Sequence, residues 1–269
     1  MIPSYNQAAF IERSLLSVFN QGYANTELIV IDGGSSDGTV AILDQYKEYI
    51  SVVVKEPDRG QSDALNKGFS LATGEIVGWL NSDDLYCPGT LRHVARLFAS
   101  RPDISVVYGD WYTIDREDMI LREYFALPYS RLQLITEGFL GSPQAMFWRR
   151  RLHECFGEFD LRFHYTMDYD FMLRLARLTD KRDYLRTNRP LACFRVHEGQ
   201  KTGSSARGFD EHLLIVQEAG LTWKYDWHGR ALRILYRFKR VAYFLIRGGP
   251  GYVFAIYRSR DRRPFRGVG

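Results

Sequence analysis

Cysteine is scarce in this chain. Cys87, Cys155 and Cys193 are odd in number and far apart, which excludes a disulfide framework or a cysteine zinc site and leaves three packing residues suited to a reducing, cytoplasmic setting. Uncharged apolar runs of the roughly 18 residues that a membrane span needs are missing too. The first residues lack the basic, apolar and small-residue order of a secretory leader, so the protein is expected neither to span a membrane nor to be exported. Internal repeats and low-complexity segments are absent. Pro3 to Gln7 contains no Lys or Arg, which weighs against the basic triphosphate loop of a nucleotidyltransferase.

What remains is 269 residues, 45% hydrophobic and 25% charged, enough for one large α/β domain or two small ones. The net charge of +4 hides an asymmetry. Eleven Arg or Lys and the single acid Asp261 follow Gly229, so an acidic body carries a basic tail.

The run Ile76-Val77-Gly78-Trp79-Leu80 reads as a buried parallel strand entering Asn81-Ser82-Asp83-Asp84 and a Pro88-Gly89 break. Carboxylates there sit where open α/β sheets bind ligands, beyond the carboxyl ends of the strands. Asp83 and Asp84 read equally well as turn and helix-cap residues. Three earlier strands carry similar endings. Met1-Ile2 leads to Pro3-Ser4-Tyr5 and is short enough that the first strand is expected to be clipped. Glu27 to Asp32 leads to a glycine-rich turn, and Ser51 to Lys55 leads to Asp58-Arg59-Gly60. Helical spacing between the strands favours a parallel sheet. Four polar endings on one edge imply a shared pocket holding an aromatic face for a base, a carboxylate for a base N–H, a cation for phosphate and a metal ligand.

Beyond Arg101 the chain reads as one more strand, a hairpin over 110–125, and a loop from Gly141 into Phe147-Trp148, with Arg149-Arg150-Arg151 as a solvated helix start. Trp111 and Trp148 suit either a sugar platform or the core. Asp168 and Asp170 open a helix with an apolar stripe at Phe171, Leu175 and Leu178; they read as dipole-complementing acids or as a general base. His197 ends a late strand before Gly199 and Gly203, where a loop would let it reach a diphosphate. Residues 230–247 form an amphipathic helix with Ala231, Ile234, Leu235, Phe238, Val241, Ala242 and Leu245 on one side and arginines on the other. It suits an anionic membrane surface through residues 230–266, or packing on the globule with its arginines in solvent.

Together Pro3-Ser4-Tyr5-Asn6, Asp32-Gly33-Gly34-Ser35-Ser36-Asp37-Gly38-Thr39, Asp58-Arg59-Gly60 through Gly68, Asn81-Ser82-Asp83-Asp84 and Asp168-Tyr169-Asp170 with Arg174 resemble family 2 inverting glycosyltransferases of the GT-A fold. The resemblance covers about residues 1–200. It implies an α/β GT-A domain with a mostly parallel central sheet and flanking helices, a nucleotide-sugar half over 1–105 and an acceptor half over 106–200, followed by a basic helical extension over 201–269. It implies a nucleotide-sugar site of Pro3, Tyr5, Asp32, Asp58, Arg59, Asn66 and Ser82, with Tyr5 packed on the base. Asp83 and His197 would meet Mn²⁺ or Mg²⁺, Asp168 would be the catalytic base, and Trp111, Gln144 and Asp170 would face the acceptor. Three positions depart from the family pattern: Asn81 opens the metal element, Met167 precedes the base, and the first strand is short.

The expected reaction is inverting transfer from a nucleotide-diphosphosugar to an acceptor hydroxyl of a saccharide or lipid-linked saccharide, in cell-surface polysaccharide or glycolipid synthesis. The expected place is the cytoplasm, peripheral on the inner face of the cell membrane. The rival is a catalytically silent scaffold of the same fold docked at the membrane. The acidic body and the apolar helix face argue against nucleic acid.

Overall fold

The computed structural model describes residues 1–138, 141–198 and 205–262. Short β-branched runs form Ile2–Ser4 (β1), Ile29–Asp32 (β2) and Val52–Lys55 (β3), which pair in parallel in that order. Between them lie Ile11–Phe19 (α1) and Thr39–Gln45 (α2), and Gln61–Leu71 (α3) follows β3. The short β1 nonetheless pairs along its whole length, from Ile2 opposite Val30 to Ser4 opposite Asp32.

Ile76–Val77 (β4) runs on beside β1: the Met1 backbone nitrogen donates to the Gly78 carbonyl at 2.8 Å and the Leu80 N–H to the Met1 carbonyl at 3.0 Å, a parallel bridge. That strip joins β1–β3 to a six-stranded sheet. The sheet contains Leu85–Tyr86 (β5), Val106–Ile114 (β6), Ile120–Tyr124 (β7), Met146–Arg149 (β8) and Tyr184–Arg195 (β9), in the order β4-β8-β6-β9-β5 with β7 on β6. Here the expectation of a mostly parallel sheet is corrected. Only β6 and β9 run parallel in this sheet, while β8 is antiparallel to both β4 and β6, β7 to β6, and β5 to β9. The turn from Asp115 to Met119 shows one reason, since it is too short for a crossover and permits only a hairpin.

The remaining helices are Thr90–Ser100 (α4), Arg131–Glu137 (α5), Arg150–Phe156 (α6), Met167–Leu178 (α7), Ser205–Glu218 (α8) and Trp227–Arg262 (α9). One core gathers Trp79, Trp148, Phe159 and Phe171, each buried side chain of this kind contributing about 1.5–3 kcal/mol. Ile215 and Val216 of α8 lie in the same core, so α8 is packed into the body. Arg149 is a further correction. It is buried rather than solvated, donating from Nε to the Ile104 carbonyl at 2.8 Å and pairing with Glu75.

Among the described residues all three cysteines are free thiols, and Cys87 and Cys193 on the paired β5 and β9 bring their sulfurs to 3.7 Å. No described helix is long and apolar enough to cross a membrane. α9 breaks at Gly249, whose φ of 72° suits glycine, and then folds back. Arg240 Nε lies 3.4 Å from the Tyr257 hydroxyl, a separation that an unbroken helix would stretch to about 25 Å. Packing of the apolar side on the globule with the arginines in solvent, one of the two alternatives considered from the sequence, is corrected. Tyr236, Arg240, Phe244 and Arg247 face the protein, with Arg240 paired to Glu137 and Arg247 to Asp110. The apolar side faces outward, with Ile234, Leu235, Phe238 and Leu245 exposed.

Candidate active site

The ends of β1 and β2 are tied together by backbone and side-chain bonds. Gly33 N–H donates to the Ser4 carbonyl at 2.9 Å, and Asn6 bonds across to the next loop, with Asn6 N–H on Ser35 Oγ at 2.7 Å and Ser36 N–H on Asn6 Oδ1 at 2.9 Å. Asp32 is fully buried and accepts from Gly34 N–H at 3.2 Å, Ser35 N–H at 2.8 Å and Ser35 Oγ at 2.6 Å. It therefore shapes its own turn; Oδ1 is filled by the two N–H groups, and Oδ2 keeps a further lone pair for a ligand. Tyr5 is exposed at the rim while Pro3 is buried below it.

Asp58 arrives from β3. A Cβ on Gly33 would stand 2.5 Å from Asp58 Oδ2, so the absence of a side chain at Gly33 is what admits this carboxylate. Burial, with the neighbouring charges of Asp63 and Asp32, holds the Asp58 pKa above the ordinary carboxylate range, against an accepted bond from Gly60 N–H at 2.8 Å. Arg59 is held at the surface by Asp63 at 3.1 Å.

At the β4 end, Asp83 Oδ2 and His197 Nε2 lie 3.0 Å apart. Asp84 points the other way and is fully buried. It accepts from Arg195 N–H at 2.8 Å and from Asn81 Nδ2 at 3.0 Å. Burial, then the charge of Asp83, raises its pKa well above the usual range. Asn81 is committed on both sides, since its Oδ1 accepts from Gln61 Nε2 at 2.8 Å.

The donor set suits Mn²⁺ or Mg²⁺. A carboxylate oxygen and an imidazole nitrogen converge on one point, and such ions characteristically take few protein donors and fill their remaining positions with phosphate oxygens and water. Among the described residues no cluster of three or more His, Cys, Asp or Glu is set for a metal. The loop expected to carry His197 toward a diphosphate, with Gly199 and Gly203, lies outside the described residues.

Asp168 opens α7 and accepts from Tyr169 N–H at 2.8 Å. Burial raises its pKa, and among the described residues no cation is paired with it. The start of α3 connects it to the other clusters. Ser62 Oγ donates to the Phe163 carbonyl at 3.1 Å and lies 3.1 Å from Met167 Sδ, His164 lies against Gly60, and Gln61 holds Asn81. The segments bearing Asp58, Asp83 and Asp168 thus meet at one helix start.

Three candidates have other roles. Asn66 is spent on the backbone of Phe159, donating to its carbonyl at 2.9 Å and accepting from its N–H at 2.7 Å; it pins a loop rather than lining the donor site. Asp170 stands about 200° around the helix from Asp168 and is paired with Arg174 at 2.9 Å, away from the acceptor side. Trp111 is stacked on Tyr124 at 5.3 Å and packs against both large cores, so it is no open sugar platform. Gln144 is buried and accepts from Ser142 Oγ at 2.6 Å, and Ser82 is buried within the Asp83 loop.

Two positioning residues escaped the sequence reading. Ser14 Oγ lies 2.8 Å from the Ser82 carbonyl and 2.7 Å from that of Asp84, clamping the loop from α1. Arg195 is fully buried, with Nε on the Asp83 carbonyl at 2.7 Å and Nη1 on the Asp115 carbonyl at 2.7 Å and on Asp118 at 2.5 Å. Its place two residues before His197, at the end of an apolar strand run, was the available signal, because alternate residues of an extended segment share a face.

Residues 1–156 match the family described as Glycosyl transferase family 2. The chain belongs to that family. A PGL/p-HBAD biosynthesis glycosyltransferase of Mycobacterium bovis is 33% identical over 178 residues, covering 65% of this chain and 67% of the relative. An uncharacterized glycosyltransferase of Rickettsia typhi is 30% identical over 227 residues, 79% of this chain and 68% of its own.

Among solved structures, S. aureus TarS 1-349 in complex with UDP-GlcNAc superposes with a TM-score of 0.65 at 19% identity, covering 81% of this chain and 64% of that one. The mannosyltransferase PcManGT from Pyrobaculum calidifontis, in complex with GDP-Man and Mn²⁺, superposes with a TM-score of 0.57 at 20% identity, covering 97% and 78%. The chain spans only 38% of the longer TarS structure. The fold of this family 2 member is GT-A.

Proposed function

We propose that this glycosyltransferase moves a sugar from a nucleotide-diphosphosugar to an acceptor hydroxyl with inversion at the anomeric carbon, in building a cell-surface polysaccharide or glycolipid. The observation that carries the reading is Asp168: a carboxylate at a helix start, its pKa raised by burial, with no cation pairing it among the described residues, on a segment that meets the Asp58 and Asp83 segments. A general base works best when its pKa is lifted toward the working pH. The complexes of TarS with UDP-GlcNAc and of PcManGT with GDP-Man support a nucleotide-sugar donor.

The acceptor hydroxyl gives its proton to an Asp168 carboxylate oxygen as its oxygen attacks the anomeric carbon from the face opposite the leaving nucleoside diphosphate. Tyr5 covers the base, and Asp32 accepts from it. Asp58 and Arg59 border the ribose and diphosphate. Asp83 and His197 would hold Mn²⁺ or Mg²⁺. When bound, such an ion offsets the charge that builds on the departing diphosphate. A single displacement inverts the configuration.

The test is a panel of nucleotide sugars with Mn²⁺, read first by thermal shift and then by transfer or hydrolysis. A donor that binds the folded state raises Tm by mass action, and NMR of the product should show the inverted anomer. No shift with any donor, or a retained anomer, contradicts the proposal.

A further inference from the structure

Between α5, the far end of α7 and α9 lies a cavity of about 510 Å³ that the sugar-transfer reading does not use. Its walls include Arg131, Lys181, Lys239 and Arg240 among tyrosines 129, 236 and 243. The one acid in the wall, Asp180, caps its own turn by accepting from the Asp183 N–H. Arg240 is matched by Glu137 at 3.2 Å. Lys239 has its ammonium over the Tyr236 ring at 5.2 Å, and among the described residues neither it nor Arg131 nor Lys181 has a carboxylate at ion-pair distance. Three cations without a carboxylate partner make a site for an anion rich in oxygens.

The outer surface of α9 says where that anion comes from. At 100° per residue, Trp227, Ile234, Leu235, Phe238, Leu245 and Ile246 form one row. All six are exposed, Trp227 and Phe238 at 71% and Ile246 at 88%. Lys239 falls between this row and the inward tyrosines, so the cavity opens along the flank of the apolar surface. A helix with an apolar outer row led by a tryptophan, next to uncompensated cations, has the composition of an element lying in a bilayer interface.

We propose that the cavity binds the phosphate head group of an anionic lipid, held by Lys181, Lys239 and Arg131, while the row from Trp227 to Ile246 rests in the same leaflet. The assignment is independent of the transfer reaction and holds whatever sugar is moved.

Flotation with vesicles tests it, using phosphatidylcholine alone and phosphatidylcholine mixed with phosphatidylglycerol. The protein should partition onto the mixed vesicles and weakly or not at all onto the neutral ones. Lys181→Glu with Lys239→Glu should weaken that binding roughly tenfold or more, given the worth of each surface cation near an anionic leaflet. Lys47→Glu with Arg96→Glu, an equal charge change at exposed sites on other elements, should weaken it less. Phe238→Glu should abolish it. All these positions are exposed, so Tm should be unchanged, and a family 2 transferase inactive with every donor tried would leave the vesicle result intact. Equal partition onto both vesicle types, no partition onto either, or equal loss in the two double variants overturns the proposal.

Discussion

Asp83 and His197, 114 residues apart in the chain, bring a carboxylate oxygen and an imidazole nitrogen to 3.0 Å. Neither is free to drift. Arg195 holds the Asp83 carbonyl from the strand that leads into His197, so one strand end fixes both donors. Phe10 packs on the His197 ring at a centroid distance of 4.6 Å, with the Arg195 guanidinium over its own ring at 5.1 Å.

Removing either donor should weaken the metal more than it weakens the fold. His197→Ala and Asp83→Asn are each expected to lower apparent Mn²⁺ affinity in the presence of nucleoside diphosphate by at least tenfold, roughly the scale at which even supporting groups act. Titration of Mn²⁺ followed by electron paramagnetic resonance reads this. Unchanged affinity in both variants would place the ion elsewhere.

Gly33→Ala probes the approach of Asp58. The added methyl meets Asp58 Oδ2 at 2.5 Å, so the carboxylate has to swing away from its place beside Asp32. Donor Kd should rise while Tm moves little, because only one exposed-side carboxylate is displaced. Donor binding equal to wild type would show that Asp58 has no part in it.

Arg195→Met tests the buried clamp. The substitution strands the Asp83 and Asp115 carbonyls, while Asp118 keeps its pair with Arg13 at 3.0 Å. Leaving a buried carbonyl unpaired in this way costs about 1–3 kcal/mol. Urea unfolding should show that loss, and Mn²⁺ affinity should fall with it. A fully stable variant with normal metal binding contradicts the positioning role.

Stability should also climb with pH on the alkaline side. Burial, with Arg233 nearby, pushes the Lys224 pKa down from its ordinary 10.5 to about 8, and the ammonium contacts His212 at 2.9 Å and the Tyr169 hydroxyl at 3.2 Å. Between those two values the unfolded chain binds more protons than the folded one, so unfolding free energy rises with pH across that window. Lys224→Met should flatten the slope. Urea melts across the window decide it, and a slope that survives the substitution assigns the effect to another group.

The strand ends and their acids were legible in the sequence because carboxylates after β-branched runs mark the ligand-binding edge of a parallel sheet. The Asn66 role was not, since its partner is a backbone segment at Phe159, far along the chain and invisible to local pattern. Asp170 was separable from Asp168 only through helix geometry and the Arg174 four residues on. For α9 the pattern gave the two faces but not which one turns inward. Tyr236, Tyr243, Arg240 and Arg247 found Ser130, Ala126, Glu137 and Asp110 as partners, and those bonds outweighed burial of the apolar row.

Asp168→Asn is the most direct test of the catalytic account. Turnover should fall by roughly 10² to 10⁴, the usual worth of a general base, with donor Kd unchanged. Tm at neutral pH should hold or rise. A carboxylate whose folded pKa is raised stabilises below its unfolded value and loses that contribution as pH rises through the folded one, so the amide relieves a buried charge. Wild-type turnover in this variant, with a properly folded protein, would remove Asp168 from the reaction and contradict the account.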